Sequence, residues 1–246
     1  MMARNRLLGD PTPVYFKLQT EIQKKIENRQ WAPGQRILAE RTLAENYKVS
    51  VGTVKKALLN LVHEGYLYRI QGKGTFVAGT TLRPESLRYY RFLRNFTDHE
   101  ADLKIKLVKL DKINGRQPHN RYLKIKSHQN LYELKRLFLH KQTPIVYSIS
   151  YLPQNMFKNL HEFPIHMFEK VTLYEALEKK YGVPTLYNQQ LFGAALTDTM
   201  TARLLQIENG KALLFIEMRS FTYKDRPYEY RKSYCVTDER KVFNEI

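Results

Sequence analysis

The chain has 246 residues, 43% of them hydrophobic, a formal net charge of +17 and a single cysteine, Cys235. That apolar fraction is enough to bury real cores and excludes wholesale disorder, while one cysteine excludes an intrachain disulfide and fits a reducing compartment. No run approaches the ~18 apolar residues of a membrane span, and the basic residues near Met1 lack the apolar core of a signal peptide. A soluble cytoplasmic protein with no membrane contact is therefore expected. The excess of Lys and Arg favours a polyanionic partner, because each cation that meets a phosphate can release a condensed counterion. It does not locate the contact: residues 1–79 hold 13 Lys and Arg against 6 Asp and Glu, a balance of +7, and residues 80–246 hold 28 against 18, a balance of +10.

Pro13 opens a helical pattern in which Val14, Leu18, Ile22 and Ile26 recur at spacing four, ending near Asn28 and Arg29 before the turn Trp31-Ala32-Pro33-Gly34. A second short helix is expected over residues 40–47, with Leu43 and Ala44 inward. Lys48-Val49-Ser50 reads as a tight turn, and Ser50 as the N-cap of a third helix whose buried face is Val54, Ala57, Leu58 and Leu61. Gly65 stops it. Two short strands follow, residues 66–70 and 75–78, around the basic tip Gln71-Gly72-Lys73-Gly74, whose glycines suit a hairpin turn.

Three helices with a short turn before the third, then a hairpin, is the layout of a winged helix-turn-helix. An ordinary protein-binding domain is the alternative on pattern alone. In the DNA-binding reading the third helix enters the major groove, presenting Val51, Gly52, Thr53, Lys55 and Lys56, and the tip with Lys73 approaches the backbone or minor groove. The run from Pro13 to Ala78 resembles the GntR family of regulators along its whole length. Its landmarks are Pro33-Gly34, Glu40-Arg41, Leu43-Ala44, Val49-Ser50, Thr53-Val54, Ala57-Leu58, Gly65 and Gly72-Lys73-Gly74-Thr75-Phe76-Val77. The resemblance implies double-stranded operator DNA as partner, with Arg41, Ser50, Val51, Gly52, Thr53, Lys55, Gln71, Gly72 and Lys73 at DNA-contacting positions. Two departures stand out. Leu38-Ala39 replaces the family's usual Pro-Ser or a similar pair, removing a cap from helix two. Val51 and Lys55 stand where the family usually has arginines that, with the threonine between them, read bases. Val cannot make the bidentate pair to guanine that Arg makes, and Lys is a less directional point charge. The expected operator therefore departs from the family's common half-site opposite Val51.

Residues 80–94 are polar, basic and contain Pro84, as expected of a linker between a first domain, 1–79, and a second, 95–246. In the second, residues 103–110 alternate like a half-buried strand, and residues 118–125 suggest a short helix. Strands are expected over 131–139 and 145–152 around the turn His140-Lys141-Gln142-Thr143-Pro144, a helix over 172–181 closed by Gly182, a strand over 189–196 and a helix over 199–206. Strands 213–223 and 228–236 flank the turn Lys224-Asp225-Arg226-Pro227. This is an α+β pattern with an antiparallel sheet.

Residues 90–243 resemble the UTRA effector domain of the HutC subfamily. The matching pieces are Arg136-Leu137 before a hairpin with Pro144, Ser150-Tyr151-Leu152-Pro153, Leu173-Tyr174-Glu175-Ala176-Leu177 with Tyr181-Gly182, and Arg226-Pro227-Tyr228-Glu229-Tyr230 followed by Ser233-Tyr234 and Asp238. The resemblance implies the fold of chorismate lyase, a homodimer formed through this domain, and a cleft for a small anionic metabolite such as a sugar phosphate or carboxylate. Arg136 matches the arginine that holds the anion, Glu229 a ligand-contacting carboxylate, and Tyr234 lies near an aromatic contact. Phe138 stands where a second arginine is usual, Ser148 where a glutamate is common, and Cys235 where another tyrosine is common. A smaller or less charged ligand, with an apolar or aromatic part, is the expectation.

The seven histidines show no metal-ligand spacing and no nucleophile–base arrangement, and there is neither a P-loop nor a dinucleotide fingerprint, so no enzyme, metal or cofactor is expected. The expectation is a DNA-binding repressor governed by a small anionic effector. A ligand-independent DNA-binding dimer, whose second domain only dimerises, stays open as the alternative.

Overall fold

The computed structural model describes residues 11–79, 91–98, 103–169 and 173–243. The chain divides into two units, Met1–Gly79 and Thr80–Ile246.

In the first unit α1 (Val14–Glu27) buries Leu18, Ile22 and Ile26 at spacing four, as its periodicity predicts. Val14, expected on the same face, is the first residue of the helix and is 45% exposed. Helix α2 (Glu40–Tyr47) buries Leu43 and Ala44, and Ala39 at its N-cap offers no side-chain hydrogen bond. Lys48 ends it in the left-handed region at φ 54°. The chain then turns at once into α3 (Val51–His63), where Ser50 Oγ accepts from the Thr53 N–H at 3.1 Å. Val54, Ala57, Leu58 and Leu61 of α3 are fully buried, each stabilising the fold by about 1.5–3 kcal/mol except the smaller Ala57. Gln19 of α1 donates to Glu64 at 2.8 Å and accepts from Asn60 at 3.0 Å, a polar tie between α1 and the end of α3.

Strands β1 (Leu67–Ile70) and β2 (Gly74–Val77) form the antiparallel wing. At its tip Gly72 has φ +74°, and the Lys73 N–H donates to the Ile70 carbonyl at 3.0 Å. Residues 35–37 run beside β2, the Ile37 N–H donating to Thr75 O and the Val77 N–H to Gln35 O, both at 2.9 Å. The Arg36 guanidinium lies against Gly74, where a Cβ would meet Arg36 Nε at 2.9 Å.

The second unit is built on a six-stranded antiparallel sheet. Its strands are β4 (Leu103–Ile113), β5 (Leu131–His140), β6 (Thr143–Pro153), β7 (Tyr187–Leu196), β8 (Ala212–Thr222) and β9 (Arg226–Cys235), in the order β4-β5-β6-β9-β8-β7. A separate pair joins β3 (Arg91–Leu93) to β10 (Lys241–Phe243). The expected linker over 80–94 is thus shortened. Residues 80–90 lie outside the described residues, while 91–93 form a strand whose Phe92 is fully buried. The β5–β6 turn needs only Lys141 and Gln142, both at positive φ, the conformation that matches strand twist in a two-residue hairpin. Between β8 and β9 the turn is Tyr223–Asp225, and Arg226 and Pro227, expected in the turn, already belong to β9. The register there passes from Ser220↔Glu229 to Phe221↔Pro227, leaving Tyr228 as a bulge.

Helices cover both faces. Against one pack α5 (Ile165–Phe168) and α6 (Leu173–Tyr181), with Phe168, Leu173, Tyr174 and Leu177 meeting Tyr132, Leu134, Leu152 and Tyr228. Further along this face Phe92 joins Ile105, Phe138, Val146, Ile216 and Cys235. Against the opposite face lie α4 (His119–Tyr122), near Tyr151 and Tyr230, and α7 (Thr199–Leu205), whose Leu205 packs with Leu137, Tyr147 and Leu213.

Candidate functional site

The first candidate surface is the exposed N-terminal end of α3. The N–H groups of Val51 and Gly52 begin the helix and have no carbonyl one turn back to bond, which suits them to a phosphate. Val51, Gly52, Lys55 and Lys56 are exposed, whereas Thr53 is half-buried. Its hydroxyl lies 2.8 Å from Ser50 Oγ, so these two predicted contact residues also lock the helix start to each other. Lys55 Nζ lies 4.0 Å from Glu40 Oε2, and Glu40 Oε1 accepts from Arg69 at 3.2 Å. Exposed pairs of this kind contribute little stability, but here one carboxylate aims two cations from α3 and the wing. Lys56 Nζ sits 4.0 Å over the Tyr15 ring, a cation–π contact that points its ammonium away from free sampling. Arg41, Gln71, Gly72 and Lys73 are exposed, on α2 and at the wing tip. The sequence reading missed Arg36 and Arg69. The signal for Arg36 is its place two residues after Gly34, in a segment that pairs with the wing.

The second candidate site is a buried polar row on the sheet face covered by α5 and α6. Cross-strand register aligns Arg136 of β5 with Ser148 of β6, and Ser148 with Ser233 of β9. Two residues along, Leu134, Ser150 and Arg231 form the next row on that face. Arg136, Ser148, Ser150, Glu229, Arg231 and Ser233 are all buried to 1% exposure or less. Burying charge costs several kcal/mol per ion unless hydrogen bonds replace the water, and they do so here for Glu229. Its Oε1 accepts from Arg231 Nε at 2.9 Å and Nη2 at 2.6 Å, and its Oε2 from the Tyr174 hydroxyl at 2.9 Å and Ser220 Oγ at 3.0 Å. Arg231 Nε also donates to Ser150 Oγ at 3.0 Å. Four donors occupy the lone-pair positions of the carboxylate, so Glu229 is fully hydrogen-bonded and holds Arg231 in place. Ser148 is different: its Oγ is buried with no hydrogen-bond partner. A buried hydroxyl left so costs ~1–3 kcal/mol, and a ligand atom that bonds it recovers this.

Phe138 lies two residues from Arg136, with its ring centroid 5.4 Å from the guanidinium carbon. It stacks on the arginine that the site presents. Cys235 is on this face too, fully buried among Phe92, Ile105 and Val146, and burial pushes its thiol far above the ordinary range. Tyr234 is a correction. It pairs with Tyr147 and Phe215 on the opposite face of the sheet, and packs with Leu205 and Leu213. The alternation of a strand forces this, because residues 229, 231, 233 and 235 point one way and 230, 232 and 234 the other. The same parity was the signal for Arg231, Ser233 and Ser150, which the sequence reading passed over. Among the described residues no group of three His, Cys, Asp or Glu is placed to hold a metal ion.

Comparison with known proteins matches both units. Residues 15–77 match the family model for bacterial regulatory proteins of the gntR family, and residues 99–241 match that for the UTRA domain. The chain is 29% identical over 219 residues to the uncharacterized HTH-type transcriptional regulator YurK of Bacillus subtilis, covering 89% of each chain. To the HTH-type transcriptional repressor NagR of the same organism it is 25% identical over 230 residues, 91% of this chain and 90% of that one. The fold also matches the crystal structure of the ligand-binding domain of a GntR-family regulator from Bordetella bronchiseptica. The TM-score is 0.59 at 22% identity, covering 65% of this chain and 98% of that one.

Proposed function

Because the chain belongs to the gntR family of bacterial regulatory proteins and carries that family's UTRA domain, we propose that it is a dimeric, cytoplasmic repressor whose second unit binds a small anionic metabolite. It is a DNA-binding transcription regulator, and its relatives are regulators rather than enzymes. No helix among the described residues is long and apolar enough to cross a membrane. In this reading residues 1–79 hold the operator, with α3 in the major groove and the wing at the backbone, and residues 95–246 bind the effector and join two copies. Two copies related by a twofold axis suit a pseudo-palindromic operator with half-sites about one helical turn apart.

The observation that supports the effector reading is the buried, unpartnered hydroxyl of Ser148, aligned in register beside the buried Arg136. Glu229 and Arg231 neutralise each other and add no net charge. The anion of the ligand therefore falls to Arg136, with Ser148 donating to one of its oxygens and Phe138 adding an apolar wall. A carboxylate or a singly charged ligand with an apolar part suits these residues better than a doubly charged sugar phosphate.

Thermal unfolding against a panel of aliphatic and aromatic carboxylates and amino-sugar phosphates, followed by titration calorimetry of any hit, tests this. A carboxylate should stabilise the protein, and Arg136→Gln should weaken it by about 10–100-fold, the effect of losing a charged hydrogen bond. Stabilisation by amino-sugar phosphates alone would refute the less charged ligand. An operator footprint indifferent to every metabolite would favour the ligand-independent dimer.

A further inference from the structure

The sheet face turned away from Arg136 carries a second set of polar side chains. Strand alternation turns Glu217 and Arg219 of β8 to that face, and Met218 and Ser220 to the other. Arg219 pairs across the ladder with Gln189 of β7 and Tyr230 of β9, and Glu217 with Leu191 and Lys232. Tyr122 of α4 packs edge to face on Tyr230, with ring centroids 5.0 Å apart. Tyr122, Gln189, Leu191, Glu217, Arg219 and Tyr230 line a cavity of about 320 Å³, the volume of a site for a small metabolite.

Glu217 and Arg219 are both half-buried, and among the described residues neither forms an ion pair. Arg219 donates from Nη2 to Gln189 Oε1 at 2.5 Å and from Nη1 to the Tyr122 carbonyl at 3.4 Å, and both acceptors are uncharged. Two of its five N–H groups are used in this way, which steadies the fork and leaves three donors. Glu217 accepts from the Tyr230 hydroxyl alone, while Lys232, its neighbour across the ladder, lies 5.9 Å over the Tyr230 ring instead. A charge drawn part-way out of water without a counterion is unfavourable. Two such charges of opposite sign in one cavity mark a place where a ligand supplies both counterions.

We propose that this cavity is a second ligand site, separate from the anion site at Arg136, and that it takes a zwitterion: an α-amino acid with an apolar side chain. The carboxylate of the ligand meets the Arg219 fork and its ammonium meets Glu217. Two residues along a strand span about 7 Å, which the two charged ends of an amino acid cover with one hydrogen bond at each. The apolar side chain lies against the rings of Tyr122 and Tyr230, with Leu191 at the rim. A plain carboxylate would leave Glu217 facing a like charge, and a plain amine would do the same to Arg219, so the pair selects against both. The sheet separates this cavity from Glu229 and Arg231, which point to the other face, and the site stands apart from the effector reading above.

The full-length chain is titrated calorimetrically with L-phenylalanine and L-leucine, and with two one-charge analogues, 3-phenylpropionate and 2-phenylethylamine. The better of the two amino acids should bind at least about ten-fold more tightly than either analogue, the effect of one charged hydrogen bond. Glu217→Gln should remove the preference over 3-phenylpropionate, Arg219→Gln the preference over 2-phenylethylamine, and Arg136→Gln should change neither. Far-UV circular dichroism checks that the variants fold, and the comparison of the four probes on the wild-type chain needs no variant. Equal binding of amino acids and analogues, or no binding of either amino acid at millimolar concentration, would overturn the proposal. So would binding lost in Arg136→Gln and kept in both cavity variants, which would place the amino acid in the buried row and leave the effector reading standing.

Discussion

Val51 is the first residue of α3, exposed, in the position from which a recognition helix reaches a base edge. Its isopropyl group offers a thymine methyl an apolar contact and offers guanine nothing. Val51→Arg restores a planar two-pronged donor at an exposed helix start, where the fold should tolerate it. We expect selection from random DNA to return a half-site with guanine opposite residue 51 for the variant and not for the wild type, a discrimination of about 1–3 kcal/mol. Identical selected half-sites would show that residue 51 does not face a base. At this scale the sequence was partly legible. Arg136, Ser148 and Glu229 are brought to one face of one sheet, and the alternation of strand residues contained that information. Tyr234 was misplaced because the family resemblance aligns positions along the chain and is silent on which face each one takes. The bulge at Tyr228 adds to this, since it sends both Tyr228 and Glu229 inward and no residue type announces it.

The elements were most legible where one period ran long enough to count. All three helices of the first unit show the buried positions their spacing predicts, apart from Val14, and Ser50 caps α3 as its side chain suggests. Of the short elements, the wing strands β1 and β2 and the helix α4 were legible, whereas β3, β10 and α5 were not. Strand β3 is three residues with two buried side chains, Phe92 and Leu93, and its partner β10 lies about 150 residues away along the chain, so no local pattern could reveal the pair. Helix α4 is only four residues long and is held by tertiary contacts: Asn120 Nδ2 donates to the carbonyls of Lys126, Ser127 and Gln129. A Cβ at Gly115 would come within 2.3 Å of the Ser127 oxygen, so that glycine is required by close packing. The same helix buries His119 between the rings of Tyr151 and Tyr230, with centroids 3.9 and 5.4 Å away. Burial first, then the charges of Lys232 and Arg116, depress its imidazole from 6.5 to about 4, against a small opposing pull from Glu133. The sign follows from proton binding. Between pH 4 and 6.5 the unfolded chain takes up this proton and the folded chain does not. His119 therefore contributes stability that is fully present above pH 6.5 and is lost as pH falls toward 4, on the order of 3 kcal/mol over that window. Urea unfolding at pH 7 and pH 4.5 should show a smaller acid loss for His119→Phe than for the wild type. Equal losses would place the acid sensitivity elsewhere.

For the whole molecule the question is how a charge of +17 is divided between holding DNA and reading it. The residues that face a groove in the proposed docking fall into two kinds. Val51 and Lys55 stand at base-reading positions, while Arg41, Lys73 at the wing tip and the α3 N-terminus meet phosphates, which position the protein and carry no sequence information. Lys73 separates these roles cleanly, because it is exposed, sits between two glycines and supports no part of the fold that its loss would disturb. Each phosphate neutralised steepens the fall of log K with log salt by about 0.9, so Lys73→Gln in a dimer on two half-sites should flatten that slope by about two. Affinity should drop for every DNA sequence alike, leaving the selected half-site unchanged, in contrast to Val51→Arg. The measurement is the salt dependence of operator binding for wild type and variant, paired with competition by mismatched operators. A flattening near one would mean that only one wing engages at a time, which contradicts a symmetric dimer on its operator. A changed base preference would move Lys73 from the backbone into the minor groove as a reader. The two outcomes bear on different links: the first on the twofold assembly through the second unit, the second on the placement of the wing in the first.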